Sequence, residues 1–296
     1  MPDETMSSDI WQNQEVWLID LPHGIHFGYM NSQAERLARE AFDVASDASF
    51  IEIQVHDQQR DRAYSLTDTL ANSYRGYATI HCEGETDGKR RLHFASPDAM
   101  QRNAYLHESL NLIATAIHRI MPWQTRRVIL HPDTIWKGAP RQVMIEALAQ
   151  SIEGVRDALP DVDVCIEPRG GDRQRKVLRL DIGDLETLTD DLRSSARIGL
   201  CIDLAQLYVT KGTEDMVQFL RDLRGVGLPI KEIHASDVQS SGSNKKVAME
   251  IGKGEIDWPL VLPPLLERNK DILIETLGGV PVFRRSKSYI EEMLHA

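Results

Sequence analysis

Ile198-Gly-Leu-Cys-Ile-Asp203 is a short apolar run that stops on a carboxylate. It is too short for a stable helix and apolar at nearly every position, as expected of a strand buried on both faces. The same pattern recurs along the chain. Ala78–His81, Arg127–His131, Asp163–Glu167, Ile230–His234 and Asp271–Glu275 are strand-like runs that close on His or Glu. Phe50–Val55 is a further run, and the first strand falls at Val16–Ile19 or the adjoining Gly24–Phe27. Amphipathic stretches such as Ser32–Ser46, Ala99–Met121, Pro140–Leu159 and Glu214–Leu223 lie between them. Strands that alternate with helices imply a parallel sheet, and about eight strands are enough to close one into a barrel.

The expected fold class is therefore α/β, a single (β/α)8 TIM barrel over residues 16–296 behind a polar tail at residues 1–15. A length of 296 residues suits one such barrel around one core. No apolar run approaches the ~20 residues of a membrane span. Met1–Gln14 is acidic and polar, without the basic flank and apolar stretch of a signal peptide. The three cysteines, Cys82, Cys165 and Cys201, are an odd number set in or beside apolar runs. They read as small core residues in a reducing, cytoplasmic protein and argue against a disulfide framework. A net charge of −11 counts against indiscriminate nucleic-acid binding, which needs clustered Lys and Arg. It leaves specific binding open, because a metal neutralises the carboxylates that hold it and a local basic rim can act alone.

The chemistry lies at the ends of the strands. His81, His131, Glu167, Asp203, His234 and Glu275 each follow an isoleucine or leucine at the carboxyl end of a predicted strand. In a barrel all those ends face one mouth, so residues far apart in sequence converge there. Singly, a strand-end His is an ordinary hydrogen-bonded core residue and a strand-end Asp caps the next helix. A succession of them would bury unpaired charge at high cost unless a cation compensates it. Mixed imidazole and carboxylate ligands suit Zn²⁺ best, with Mn²⁺ or Fe²⁺ as alternatives, and suit Mg²⁺ less.

At these residues the chain resembles endonuclease IV (AP endonuclease family 2), of the xylose-isomerase-like TIM-barrel superfamily, from about His26 to Glu275. The resemblance is carried by Leu92-His-Phe-Ala-Ser-Pro-Asp98 with Arg102 and Ser109, by Ile129-Leu-His-Pro-Asp133, and by Cys165-Ile-Glu-Pro. Ile198–Asp203, Ile233-His-Ala-Ser-Asp237, Ile251-Gly-Lys-Gly-Glu-Ile-Asp257 and Leu273-Ile-Glu-Thr276 follow in the same order. It implies two divalent metal ions, the first held by His81, His131 and Glu167. The second would be held by Glu167, Asp203, His234 and Glu275, with Glu167 bridging. Glu167 and Glu275 would then be the catalytic carboxylates, and His26 and Arg60 would contact substrate.

The departures from that family are as informative. Its third metal site falls on Gln206, Lys246 and Ala248, none of them a good ligand, and Gly84 replaces a tyrosine. Lys246 could stand in for the missing cation by holding an anionic substrate as a point charge. The leading expectation is a metal-dependent hydrolase, a phosphodiesterase that uses a two-metal-activated water on abasic or damaged DNA or another phosphoester. Nucleic acid would then require a basic rim from Arg60, Arg62 and the Lys89-Arg-Arg91 run. The alternative is a sugar isomerase or epimerase that places Glu167, Asp203, His234 and Glu275 around one metal and moves a proton with carboxylates. A specialised biosynthetic or binding protein reusing the metal barrel is the third reading. Paired His81 and His131 favour the first, since a one-metal isomerase has no need of both.

Overall fold

A computed structural model of the chain describes residues 26–31, 47–55, 76–82, 93–120, 125–132, 135–168, 178–192, 196–241, 244–267 and 271–295. The predicted tail at 1–15, the strand at Val16–Ile19 and the helix at Ser32–Ser46 lie outside these residues, as do Arg60, Arg62 and Lys89–Arg91.

The strands of the barrel are β1 (His26–Asn31), β2 (Phe50–Val55), β3 (Tyr77–Cys82), β4 (Thr125–Leu130), β5 (Asp163–Ile166), β6 (Ile198–Asp203), β7 (Ile230–Ala235) and β10 (Asp271–Ile274). They pair in parallel in the order β1-β10-β7-β6-β5-β4-β3-β2, and β2 closes on β1. The expected eight-stranded closed barrel is what forms. One hairpin is added to the barrel: β8 (Asp237–Ser241) and β9 (Asn244–Met249) pair antiparallel directly after β7.

Side chains on a strand alternate between its two faces. One set, including Ile51, Ile80, Val128, Leu130, Val164, Ile166, Leu200, Ile202, Ile233 and Ile274, packs outward into a single core with the helices. The other set fills the barrel in layers. Phe50, Tyr77 and Leu273 form one small interior cluster, and Ile129, Cys165 and Cys201 form another. All three cysteines are buried, as read from sequence. Polar side chains share this interior face. Arg127, two residues before Ile129, lies within reach of Glu232 at 3.2 Å and pairs with Asp271.

The helices Ala99–Ile120, Arg141–Ala158 and Leu204–Asp222 cover the barrel. The last begins ten residues before the predicted Glu214–Leu223 stretch, because Asp203 caps it directly off β6, and it kinks at Gly212. Helices at Ile182–Asp191, with a capping box between Asp181 and Asp184, and at Val280–His295 complete the cover. No helix among the described residues is long and apolar enough to cross a membrane.

Candidate metal centre

The interior face of β3, β4 and β5 leads, at its carboxyl end, to three ligand atoms that meet at one point. His81 Nε2 lies 2.9 Å from His131 Nε2 and 3.1 Å from Glu167 Oε2, and His131 Nε2 lies 3.0 Å from the same oxygen. All three residues are at least 95% buried. Two imidazole nitrogens facing each other and one carboxylate oxygen, sealed from water, form a divalent-cation donor set. Burial would raise the Glu167 carboxyl, but the His131 charge and hydrogen bonds from both histidines overturn this and hold it well below the usual range.

A second group opens toward β7 and β10. His234 Nδ1 lies 3.9 Å from Glu167 Oε2 and 3.7 Å from Glu275 Oε2. Asp203 ends β6 beside them and also caps the following helix, accepting from the Gln206 amide at 2.9 Å. The helix-cap reading of this strand-end Asp is met, and a carboxylate has lone pairs enough to hold an amide and a cation together. Burial and the Glu167 charge push the Asp203 carboxyl up to about 6. Burial and the Asp203 charge push Glu275 up to about 8. Such crowding of acids is what a cation relieves, so the residues fit a divalent metal at both positions. Among the described residues, ligand atoms lie within 4.8 Å of one another in His81–His131–Glu167, Glu167–Cys201–His234 and Glu52–Glu232–His234. Cys201, Glu52 and Glu232 were not singled out from sequence, although each lies two residues from another interior position on its strand.

The expected substrate contacts fare differently. His26 opens β1 in register with Asp271, the first residue of β10. Its backbone thus lies at the amino-terminal end of the barrel strands, opposite the metal-competent mouth. Arg60 is outside the described residues. Lys246 lies exposed on β9, opposite Gln239. Ala248, beside it on the same strand, has a left-handed φ of 58° and its carbonyl accepts from the Leu277 amide at 2.8 Å. That bond ties the hairpin to the turn beyond Glu275.

Several family-like residues hold backbone. Asp98 accepts from the amides of Met100 and Gln101, Arg102 donates to the Ser96 carbonyl, and Ser109 donates to the Tyr105 carbonyl. Asp237 is fully buried and accepts from the amides of Val238, Gly252 and Ile256 and from the Trp258 indole. The Ile251–Asp257 motif is wrapped around that carboxylate, and a Cβ on Gly254 would collide with it and with the Val238 carbonyl.

Fold and site together define a parallel (β/α)8 barrel with a metal-competent cluster at its mouth. The chain belongs to the xylose isomerase-like TIM barrel family, matched over residues 42–292. No curated protein matches its sequence. Among solved structures it resembles a D-tagatose 3-epimerase-like protein, with a TM-score of 0.71, 19% identity, and coverage of 92% of this chain and 97% of that one. An L-ribulose 3-epimerase gives a TM-score of 0.61 at 16% identity, covering 92% and 95%. The IOLI protein, with a binding zinc atom, gives 0.65 at 13% identity, covering 91% and 98%. At these identities the likeness shows the fold. These neighbours are described as a sugar epimerase, an epimerase-like protein and a zinc-binding protein.

Proposed function

We propose that the protein is a metal-dependent isomerase or epimerase of a sugar-like hydroxy-carbonyl substrate. This reverses the order in which the sequence alone ranks sugar and phosphoester chemistry. The observation that carries it is the arrangement of Glu167, Asp203, His234 and Glu275 at the ends of β5, β6, β7 and β10. Glu167 and Glu275 come from strands separated by β6 and β7, so they approach the centre from different sides. A divalent cation held there, zinc or manganese, would polarise a carbonyl and its neighbouring hydroxyl. One carboxylate can then take the proton from the carbon beside the carbonyl while the other returns a proton to the opposite face. The buried histidines and barrel walls keep bulk water away from that carbon. The sugar epimerases among the structural neighbours support this reading.

A second reading, phosphoester hydrolysis, is favoured by the His81–His131–Glu167 triad, which offers a further cation position that proton transfer between carbons does not require. Against it, the Lys246 side chain is exposed on the hairpin and the expected third-metal positions hold no ligand set. Purified protein loaded with zinc or manganese should interconvert members of a panel of ketoses, followed by chromatography, and leave an abasic duplex intact. Glu167→Gln and Glu275→Gln should each abolish conversion. Metal-dependent nicking of the duplex, with no conversion across the panel, would select the second reading.

A further inference from the structure

Beneath the metal-competent residues sits a carboxylate that neither reading employs. Glu52, mid-strand on β2, is fully buried. Its Oε2 lies 3.1 Å from His234 Nε2 and its Oε1 lies 3.6 Å from His81 Nδ1. The other nitrogens of those rings face the mouth: His81 Nε2 toward His131 and Glu167, and His234 Nδ1 toward Glu167 and Glu275. One carboxylate thus touches a histidine of each cation position, in both cases on the nitrogen turned away from the cation.

Its neighbour Glu232 differs. Glu232 Oε1 lies 3.5 Å from His234 Nε2, but its other oxygen is compensated by Arg127. Neither oxygen of Glu52 accepts an aligned hydrogen bond, although both are sealed from water. Desolvating a carboxylate for two ring contacts at ion-pair distance is a poor way to stabilise a fold. It is a good way to orient ligands, because a histidine that binds metal through one nitrogen donates its other N–H to a carboxylate.

We propose that Glu52 is a positioning residue shared by both cation positions. It fixes the proton on His81 Nδ1 and on His234 Nε2, which leaves His81 Nε2 and His234 Nδ1 as lone pairs aimed at the metals. It also couples the two positions, since one carboxylate answers to both rings. The inference rests on the metal reading above but not on the choice of substrate.

The test compares Glu52→Gln, Glu52→Asp and parent protein. Each is stripped of metal, titrated with Zn²⁺ against a chromophoric chelator and with Co²⁺ by visible absorption, and melted in the metal-free state. Glu52→Gln keeps the shape and removes the charge. It should lower affinity at both positions by about 10–100-fold and shift the Co²⁺ absorption bands. The metal-free melt shows whether Glu52→Gln remains folded, since the change also removes the carboxylate's contacts with the His234 and His81 rings. Glu52→Asp, which keeps the charge but withdraws it by one methylene, should recover part of the affinity. Unchanged affinities in a folded Glu52→Gln protein would overturn the proposal. Loss at one position only would overturn the shared role, and a lower metal-free melting temperature with unchanged affinities would make Glu52 a structural residue. A parent protein that takes up no metal would overturn the metal reading itself, which separates the two failures.

Discussion

Replacing Arg127 by methionine should be among the most damaging changes that touch no metal-competent residue. Arg127 is 8% exposed, lies 3.2 Å from Glu232 through Nη1 and pairs with Asp271 through Nη2. Methionine fills similar space but leaves both buried carboxylates without their cation. Breaking one side of a buried ion pair costs about 3–5 kcal/mol. At about 2–4 °C per kcal/mol for a domain of this order of size, the melting temperature should fall by on the order of 10 °C. The deficit also has a pH signature. Burial already raises the Glu232 carboxyl above its ordinary value, with Arg127 and His234 opposing the rise. Without Arg127 it rises further. A carboxyl raised in the folded state favours folding while protonated and loses that contribution as pH rises through its folded value. The gap between variant and parent should therefore be smaller near pH 5 than near pH 8 in thermal or denaturant melts. Adding Glu232→Gln and Asp271→Asn to Arg127→Met should recover most of the loss. A single variant within about 1 kcal/mol of the parent near pH 8 would refute the reasoning, since that is the scale of an ordinary surface change.

Other outcomes follow from the same contacts. Gly254→Ala should destabilise by about 1–3 kcal/mol, because the added methyl meets the Asp237 carboxylate and the Val238 carbonyl, neither of which can move freely; equilibrium unfolding checks this. Burial pushes the Glu275 carboxyl up to about 8, and neighbouring acids hold the His234 imidazole well above its ordinary value, so metal entry at that position near pH 7 should release protons, measurable by calorimetry in buffers of different ionisation enthalpy. Glu167→Ala should lower metal content at both positions and His81→Ala at the first alone, read by elemental analysis after dialysis.

The barrel was legible because each strand is a short apolar run and each ends on a polar residue. Period-two alternation then puts His131, Glu167, Asp203, His234 and Glu275 on the interior face, and the structure brings His81, His131 and Glu167 within hydrogen-bonding distance. What the sequence hid lies one layer down. Glu52 sits between isoleucines, and Glu232 two residues before His234, so parity alone would assign both to the barrel interior. Their meaning depends on partners at long range, such as Arg127 for Glu232, and no local pattern announces a compensated buried charge. His26 is a different case. A resemblance placed it on the first strand, but only the register with Asp271 shows which end of that strand it occupies. The hairpin at Asp237–Met249 was hidden by its polar composition, although Val238 packs into the core and Asp237 is buried among backbone and indole donors.

Proton transfer at a carbon beside a carbonyl leaves a direct trace, the incorporation of hydrogen isotope from solvent. Metal-loaded protein incubated with a panel of ketoses in deuterium oxide should place one deuterium on that carbon of its substrate, detected by proton NMR. The inverted product should carry the label, and Glu167→Gln and Glu275→Gln should each eliminate its formation. Turnover of a sugar with no deuterium gained from solvent would contradict the claim.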